Sequence, residues 1–552
     1  MASLWRSWPV RELQELLERL CVGLLDDLAE LLPALAGPGF NSMSLYTRES
    51  LALVAESFLP TDVFASKPFR KRCLDGLPPD ELGALAKLLG TDQPGAEFVQ
   101  VRDDILRRQW SPLFAAQWIA FFQLPPHFMP SQVSPVESSV SFLPPRRGSP
   151  CFVDAPFKQL KDYQFQIYFR ALSQLTIPRA RFVIQMPTGS GKTRTAMELL
   201  ISTINSETAA APVVLWLAHS SELCDQAFEC FVEVWRHLGC RPLTAVRFWG
   251  NHPLPHMAEE AMFVVAGFQK LHQCDIETLA ALRDRCTLVV VDEAHMTIAP
   301  TYRTAVQSLI GELTRVVGLT ATPGRSTVAQ TQNLAEFYFG EKLGLTAADG
   351  KSVIQSLRDR GVLSHAVHVP IVTRLNVSLD AGARNYLASN FDLPPNLLKR
   401  LGQKTVRNIE IVKRLVEEVA AGRQILFFGC SVAHSKFIAS VLLYLRVEAA
   451  HIDGDTGVER RREVIEKFKT ARVRVLCNYG VLATGFDAPK TDVVFISRPT
   501  MSPVLYSQMI GRGLRGPAIG GTPACRIIDV IDNIEGYGDH DRMYNLFEEM
   551  WL

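Results

Sequence analysis

Met186-Pro-Thr-Gly-Ser-Gly-Lys-Thr193 and Asp292-Glu-Ala-His295 lie about a hundred residues apart, and together they hold the groups that phosphate chemistry needs. In the first, Thr188, Gly189, Ser190 and Gly191 form a loop whose glycines let the backbone turn tightly and aim successive N–H groups at a phosphate. Lys192 would reach the β- and γ-phosphates of a nucleoside triphosphate, and the Thr193 hydroxyl would ligate Mg²⁺. In the second, Asp292 can hold that Mg²⁺ through water, and Glu293 is placed to orient or deprotonate an attacking water. Met186 stands where such a loop ordinarily begins with Gly.

Both stretches need a rigid support, and the residues before them supply one. Arg181-Phe-Val-Ile-Gln185 and Leu288-Val-Val-Val291 are short apolar runs suited to buried strands, and Thr193 to Leu200 reads as a helix. The loop phosphates would then sit at a helix N-terminus. Asp292 would sit at the C-terminal end of its strand, the edge where open parallel sheets bind ligands. The second half of the chain repeats the alternation. Gln424–Phe428, Val473–Cys477 and Val493–Ile496 read as strands, and Ser431–Leu443 as a helix. Near its end, Gln508-Met-Ile-Gly-Arg-Gly-Leu-Arg515 places Arg512 and Arg515 three apart, so both can project from one side of a helix turn.

Five more segments complete an ordered series: Leu160-Lys-Asp-Tyr-Gln164, Val213–His219 with Ser220–Gln226, Val264–Gln269, Leu319-Thr-Ala-Thr-Pro323 and Thr484-Gly-Phe-Asp-Ala-Pro489. In this order the chain resembles the superfamily 2 helicases and translocases of DEAH-box type. Within them it is similar to the group containing XPB and the motor subunits of type I and type III restriction enzymes. The resemblance covers residues 155 to 540 and implies an α/β fold: two tandem RecA-like parallel-sheet motor domains, here preceded by an all-α N-terminal domain. It implies that Gln164 reads the adenine edge of ATP and that Gly485 and Asp487 lie at the ATP cleft. His219, Ser220, Gly267, Gln269 and Thr484 would touch a nucleic-acid backbone, although Gly267 replaces the usual hydroxyl residue. Leu319–Pro323 would couple the two sites. Gln508 would lie near the γ-phosphate, and Arg512 and Arg515 would be delivered to it from outside the P-loop domain.

The 552 residues suit three or four domains, and 47% hydrophobic content supports full cores. Net charge is +1, so bulk electrostatics does not advertise a nucleic-acid binder. Residues 1–124 hold 12 Lys and Arg against 16 Asp and Glu, which leaves 46 against 41 of the chain's 58 and 57 for the rest. The acidic N-terminal part is thus poorly suited to gripping phosphates by itself. The eleven cysteines include no C-x-x-C pair, which argues against a zinc ribbon or a four-cysteine iron–sulfur site and suits a reducing cytoplasm. The charged start is no signal peptide, and no run of about 18 apolar residues predicts a membrane span.

Leu13, Leu16, Leu17, Leu20, Leu24, Leu28, Leu31 and Leu32 recur at helical spacing and form one core-facing stripe, which Pro33, Gly37 and Pro38 would end. Further helices are predicted at 47–57, 79–90 and 97–123, making 1–124 a helical accessory domain. Residues 125–156, rich in Pro and Ser, read as a partly mobile linker. The first motor domain takes 157–325 and the second 401–540. A bridging segment at 326–400 is helical at Ser352–Arg360 and extended at His365–Thr373. A short helix at 541–552 closes the chain.

The expected function is ATP hydrolysis, with ATP and Mg²⁺, used to move along or remodel nucleic acid, DNA being favoured over RNA by the group resemblance. A restriction or phage-defence role is a further implication of that resemblance. The alternative is an ATP-gated nucleic-acid-binding switch that signals to a protein partner through residues 1–124 without separating strands. A nuclease in the chain is not expected: Pro79-Asp80 is followed by Glu97-Phe-Val99 without the lysine of that motif, and His434-Ser-Lys436 lacks a downstream acid.

Overall fold

The computed structural model describes residues 3–36, 46–92, 95–130, 137–143, 157–209, 211–257, 259–321, 328–347, 350–390, 392–482, 488 and 490–534. Two sheets organise it. The first is built from β1 (Ser139–Phe142), β2 (Arg181–Gln185), β3 (Val213–Ala218), β4 (Leu243–Phe248), β5 (Ala261–Gly267), β6 (Cys286–Asp292), β7 (Arg315–Thr320) and β8 (Lys342–Gly344), in the order β1-β4-β5-β3-β6-β7-β2-β8. Only β1 runs antiparallel, against β4. Every residue of β3 and β6 is buried, as expected of central parallel strands with helices on both faces.

The order places β7 between β2 and β6. Segments a hundred residues apart therefore emerge side by side at one sheet edge, the loop after β2 beside Asp292 at the end of β6. The stretch read as a linker contributes β1, because its Ser-Val-Ser-Phe alternation suits an edge strand with one face on the core.

The second sheet is wholly parallel: β9 (His365–Val377), β10 (Ile425–Phe428), β11 (Ala449–Ile452), β12 (Val475–Asn478), β13 (Val493–Ile496) and β14 (Ala524–Ile534), in the order β11-β12-β10-β13-β14-β9. The segment expected to bridge the two domains is thus divided. β8 completes the first sheet, and β9, paired along its length with β14, forms an edge of the second.

The N-terminal residues are helical, with two departures from expectation. The leucine stripe breaks at Cys21–Gly23 into the helices Val10–Leu20 and Leu24–Ala36. Gly23 takes φ +78°, a conformation that a helix cannot continue. Pro33 sits inside the second helix instead of ending it. The helix expected over 97–123 is two, Phe98–Arg107 and Pro112–Phe122, because Ser111 caps a new helix that starts at Pro112. The C-terminal helix expected at 541–552 lies outside the described residues.

These N-terminal helices share one apolar core with the second sheet. Helix Val432–Tyr444 shows why. Phe437 to Leu443 are buried without a break, whereas a helix lying on a sheet alone buries one stripe. Its other side is covered by helices Leu24–Ala36 and Arg48–Phe58. Polar contacts fasten the rim: Arg446 pairs with Glu49 at 3.2 Å, and buried His127 meets Glu463 at 2.7 Å. Removing residues 1–130 would bare several large side chains at about 1.5–3 kcal/mol each, a sum comparable with the ~5–15 kcal/mol that stabilises a whole domain. The truncated chain should therefore aggregate. A monomeric, cooperatively melting product in gel filtration and calorimetry would contradict the shared core. Among the described residues no helix is long and apolar enough to cross a membrane.

Candidate functional site

Gly189 and Gly191 take φ +84° and +83°, the left-handed turn that wraps the loop onto the helix Lys192–Ser206. Met186 has no such conformation. It is fully buried and its N–H donates to Thr320 O at 3.1 Å, so the first loop position prolongs the pairing of β2 with β7 and has no need of glycine. Lys192 Nζ reaches across to Asp292 Oδ1 at 3.8 Å and Glu293 Oε1 at 3.5 Å. Loop lysine and acidic pair thus form one charge cluster.

Glu293 adopts φ +52°, ψ +61°, which is strained for a residue with a side chain. Burial pushes its carboxyl up, but Lys192, His295, His219 and Arg512 together hold it below the usual range, so it is ionised. Burial raises Asp292, with Lys192 opposing. His295, the last residue of the acidic box, lies 3.3 Å from Glu293 through Nδ1. The sequence displayed this histidine, but its role emerges only from that contact. His219, expected at nucleic acid, lies close enough to the acidic pair to help hold Glu293 ionised.

Gln164 is almost fully buried. Its Oε1 accepts from Lys161 N at 2.8 Å, and its Nε2 donates to Ser190 O at 3.3 Å and Gly191 O at 3.4 Å. The Tyr163 hydroxyl also donates to Ser190 O, at 2.9 Å. The element expected to read a base thus braces the phosphate loop directly. A Cβ on Gly191 would collide with Gln164 Nε2.

The second sheet supplies the opposite wall. Helix Pro503–Ile510 carries Gln508 and ends at Gly511, so Arg512 and Arg515 follow in the turns beyond it and are not on the helix itself. Arg515 forms a bridge with Leu363, and its Cγ lies 3.6 Å from where a Cβ on Gly189 would stand. Burial lowers both guanidinium groups to about 10, with Glu293 and Asp292 supporting Arg512, so both remain cations at neutral pH. The resulting cleft, about 440 Å³, is lined by Gln164, Thr188 to Thr193, Asp292, Glu293, Gln508, Arg512 and Arg515. Two further contacts bridge the domains at its margins: Lys161 Nζ donates to Ala518 O at 3.1 Å, and Arg461 pairs with Glu222.

The other expected contacts are more dispersed. Ser220 caps the helix Ser221–Leu238, its hydroxyl accepting from Leu223 N at 3.3 Å. Gly267 ends β5, and a Cβ there would stand 3.2 Å from Trp249 Cβ, so buried Trp249 crowds the space that the usual hydroxyl residue would need. Gln269 is exposed at the start of the following short helix. Thr484, Gly485 and Asp487 lie outside the described residues.

A glycine-rich loop, an acidic pair and arginines from a second parallel sheet define the class of two-domain P-loop proteins. Residues 157–325 match the family model for the res subunit of type III restriction enzymes, and 407–516 match that for the helicase conserved C-terminal domain. The chain belongs to the superfamily 2 helicases, in the group with restriction-type motor domains. It is 25% identical to the Saccharomyces cerevisiae protein named "Putative ATP-dependent helicase IRC3", over 67% of this chain and 51% of that one. It is also 25% identical to a "51.5 kDa protein" of a Lactococcus phage, over 67% and 70%. The chain thus spans about half the length of the yeast relative. Among solved structures, S. cerevisiae Dbp5 bound to RNA and ADP BeF3 aligns with a TM-score of 0.48 at 16% identity, over 70% of this chain and 87% of that one.

Proposed function

We propose that this chain is an ATP hydrolase that uses closure and reopening of its cleft to move along nucleic acid, with DNA as the track. The observation that carries the reading is the delivery of Arg512 and Arg515 to a loop and acidic pair held by the other sheet. A catalyst that hydrolyses only when closed needs that division of parts. The loop N–H groups and Lys192 hold the phosphates. Glu293, ionised and in a fixed backbone conformation, accepts the proton of the attacking water. Arg512 and Arg515 offset the charge that develops on the transferred group. The Thr193 hydroxyl and Asp292 carboxylate are hard oxygen donors that fit Mg²⁺, which when bound would neutralise phosphate charge.

His219, Ser220, Gly267, Gln269 and Thr484 are proposed to meet the backbone of the strand, which makes binding largely independent of sequence. DNA and a role in restriction or phage defence rest on the restriction-enzyme family model and the phage relative. Lys192→Ala should weaken ATP binding on the order of a hundredfold, since a charged phosphate contact contributes about 1.5–3 kcal/mol. Equilibrium dialysis would read this, and near-normal affinity would remove the loop from the account.

A second reading is favoured by the shared core of the N-terminal helices and the second sheet. Closure would carry those helices with it and present a signal to a partner. Displacement of streptavidin from a biotinylated strand separates the two. ATP-dependent release means movement, and vigorous hydrolysis without release means a switch.

A further inference from the structure

The three glycines of Gly511-Arg-Gly-Leu-Arg-Gly516 face three different neighbours. A Cβ on Gly513 would stand 2.7 Å from Val494 Cγ2 and closer still to Cys525 Sγ, both in the second sheet. One on Gly516 would strike the backbone at Gly361. Those two glycines let the segment settle on its own domain. Gly511 is different. A Cβ there would stand 2.6 Å from Thr188 Cβ and closer still to Thr188 Cγ2, across the cleft in the phosphate loop. Its third neighbour, Ser507 O at 3.0 Å, belongs to its own helix.

The backbone does not require glycine at 511. Its φ of −57° and ψ of −14° are ordinary helical values that alanine adopts freely. The missing side chain is used by Thr188 alone among groups of the other domain. Backbone and a β-branched side chain of a packed loop cannot yield at 2.6 Å as the end of a lysine could.

We propose that Gly511 and Thr188 form the steric stop that sets how far the cleft closes, and so whether Arg512 reaches the phosphate site. This rests on the motor reading above for its chemistry, but the stop itself is a matter of geometry. Gly511 is a positioning residue, acting through its neighbour Arg512.

Gly511→Ala should leave the melting temperature and the KM for ATP near those of the parent. It should lower polymer-stimulated kcat at least about a hundredfold, as arginine delivery contributes about 10³–10⁵ in related ATPases. Thr188→Gly removes both colliding atoms. It should raise kcat about tenfold or more in the Gly511→Ala background while lowering it in the parent, so the two changes are coupled with opposite sign. Gly513→Ala, colliding within its own sheet, should instead lower the melting temperature.

A readout independent of hydrolysis is the distance between spin labels on non-natural residues at the exposed positions of Ile276 and Val406, one in each motor domain. With non-hydrolysable ATP analogue and Mg²⁺, Gly511→Ala should show a longer distance than the parent, and the double variant should return to it. Identical distances in parent and Gly511→Ala would overturn the stop. A lengthened distance in a parent chain that never hydrolyses ATP would overturn the motor and leave the stop standing.

Discussion

Arg512→Ala binds ATP with near-parental affinity and loses about a thousandfold or more of polymer-stimulated turnover: this is the largest effect expected of any single substitution. The affinity survives because the loop and Lys192 belong to the first sheet and keep their geometry without Arg512. The turnover falls because no other cation beside the acidic pair comes from the second sheet at that point. Arg515 packs on Gly189 instead. Arg512 is 9% exposed, and Glu293 and Asp292 keep it charged against the cost of burial. Arg512→Lys retains the charge without the planar fork, so it should recover only part of the rate. Single-turnover hydrolysis with saturating polymer measures all three chains. A tenfold loss or less for Arg512→Ala would mean that the cleft seen here is a resting contact and not the reacting one.

Glu293→Gln separates binding from chemistry on the other side of the cleft. The amide has the carboxylate's shape but cannot take a proton, so turnover should fall by about 10²–10⁴ while ATP stays bound. The left-handed backbone at 293 adds a second expectation. Strain at that position is held by the surrounding site, and Glu293→Gly relieves it. The Gly variant should therefore melt higher than Glu293→Gln while being equally inactive. Equal melting temperatures would show that the φ of +52° carries no cost, and near-parental turnover by Glu293→Gln would remove the proposed base.

Much of this cleft is legible in the chain itself, since a buried strand ending in a small loop or an acid leaves its mark as a run of apolar residues. Arg181–Gln185 and Leu288–Val291 are such runs, and the sheet order brings their ends together. What is not legible is long-range partnership. The leucines from Leu13 to Leu32 declare a buried face, but periodicity cannot say that its cover is a helix four hundred residues later. The matching signal lies in Phe437-Ile-Ala-Ser-Val-Leu-Leu443, whose lack of a polar side marks a helix buried all round. β14 is missed for a related reason. Asp529 and Asp532 interrupt its apolar run, and they are accommodated only by partners remote in sequence. Asp529 accepts from the Tyr506 hydroxyl, and Asp532 pairs with the fully buried Arg407 at 2.9 Å. Gln164 and Gly511 illustrate the same limit inside the site. Motif position suggests that each serves the nucleotide, and only packing reveals that one braces the phosphate loop and the other makes room for it.

The central claim is that hydrolysis requires both sheets closed around one nucleotide and is set by a nucleic-acid track. Steady-state ATPase of the intact chain, alone and with single-stranded DNA, duplex DNA or RNA, tests it most directly when Arg512→Ala is run beside it. The account predicts strong stimulation by DNA that vanishes in Arg512→Ala. A low, flat rate with every polymer, or stimulation that survives the loss of Arg512, would contradict it.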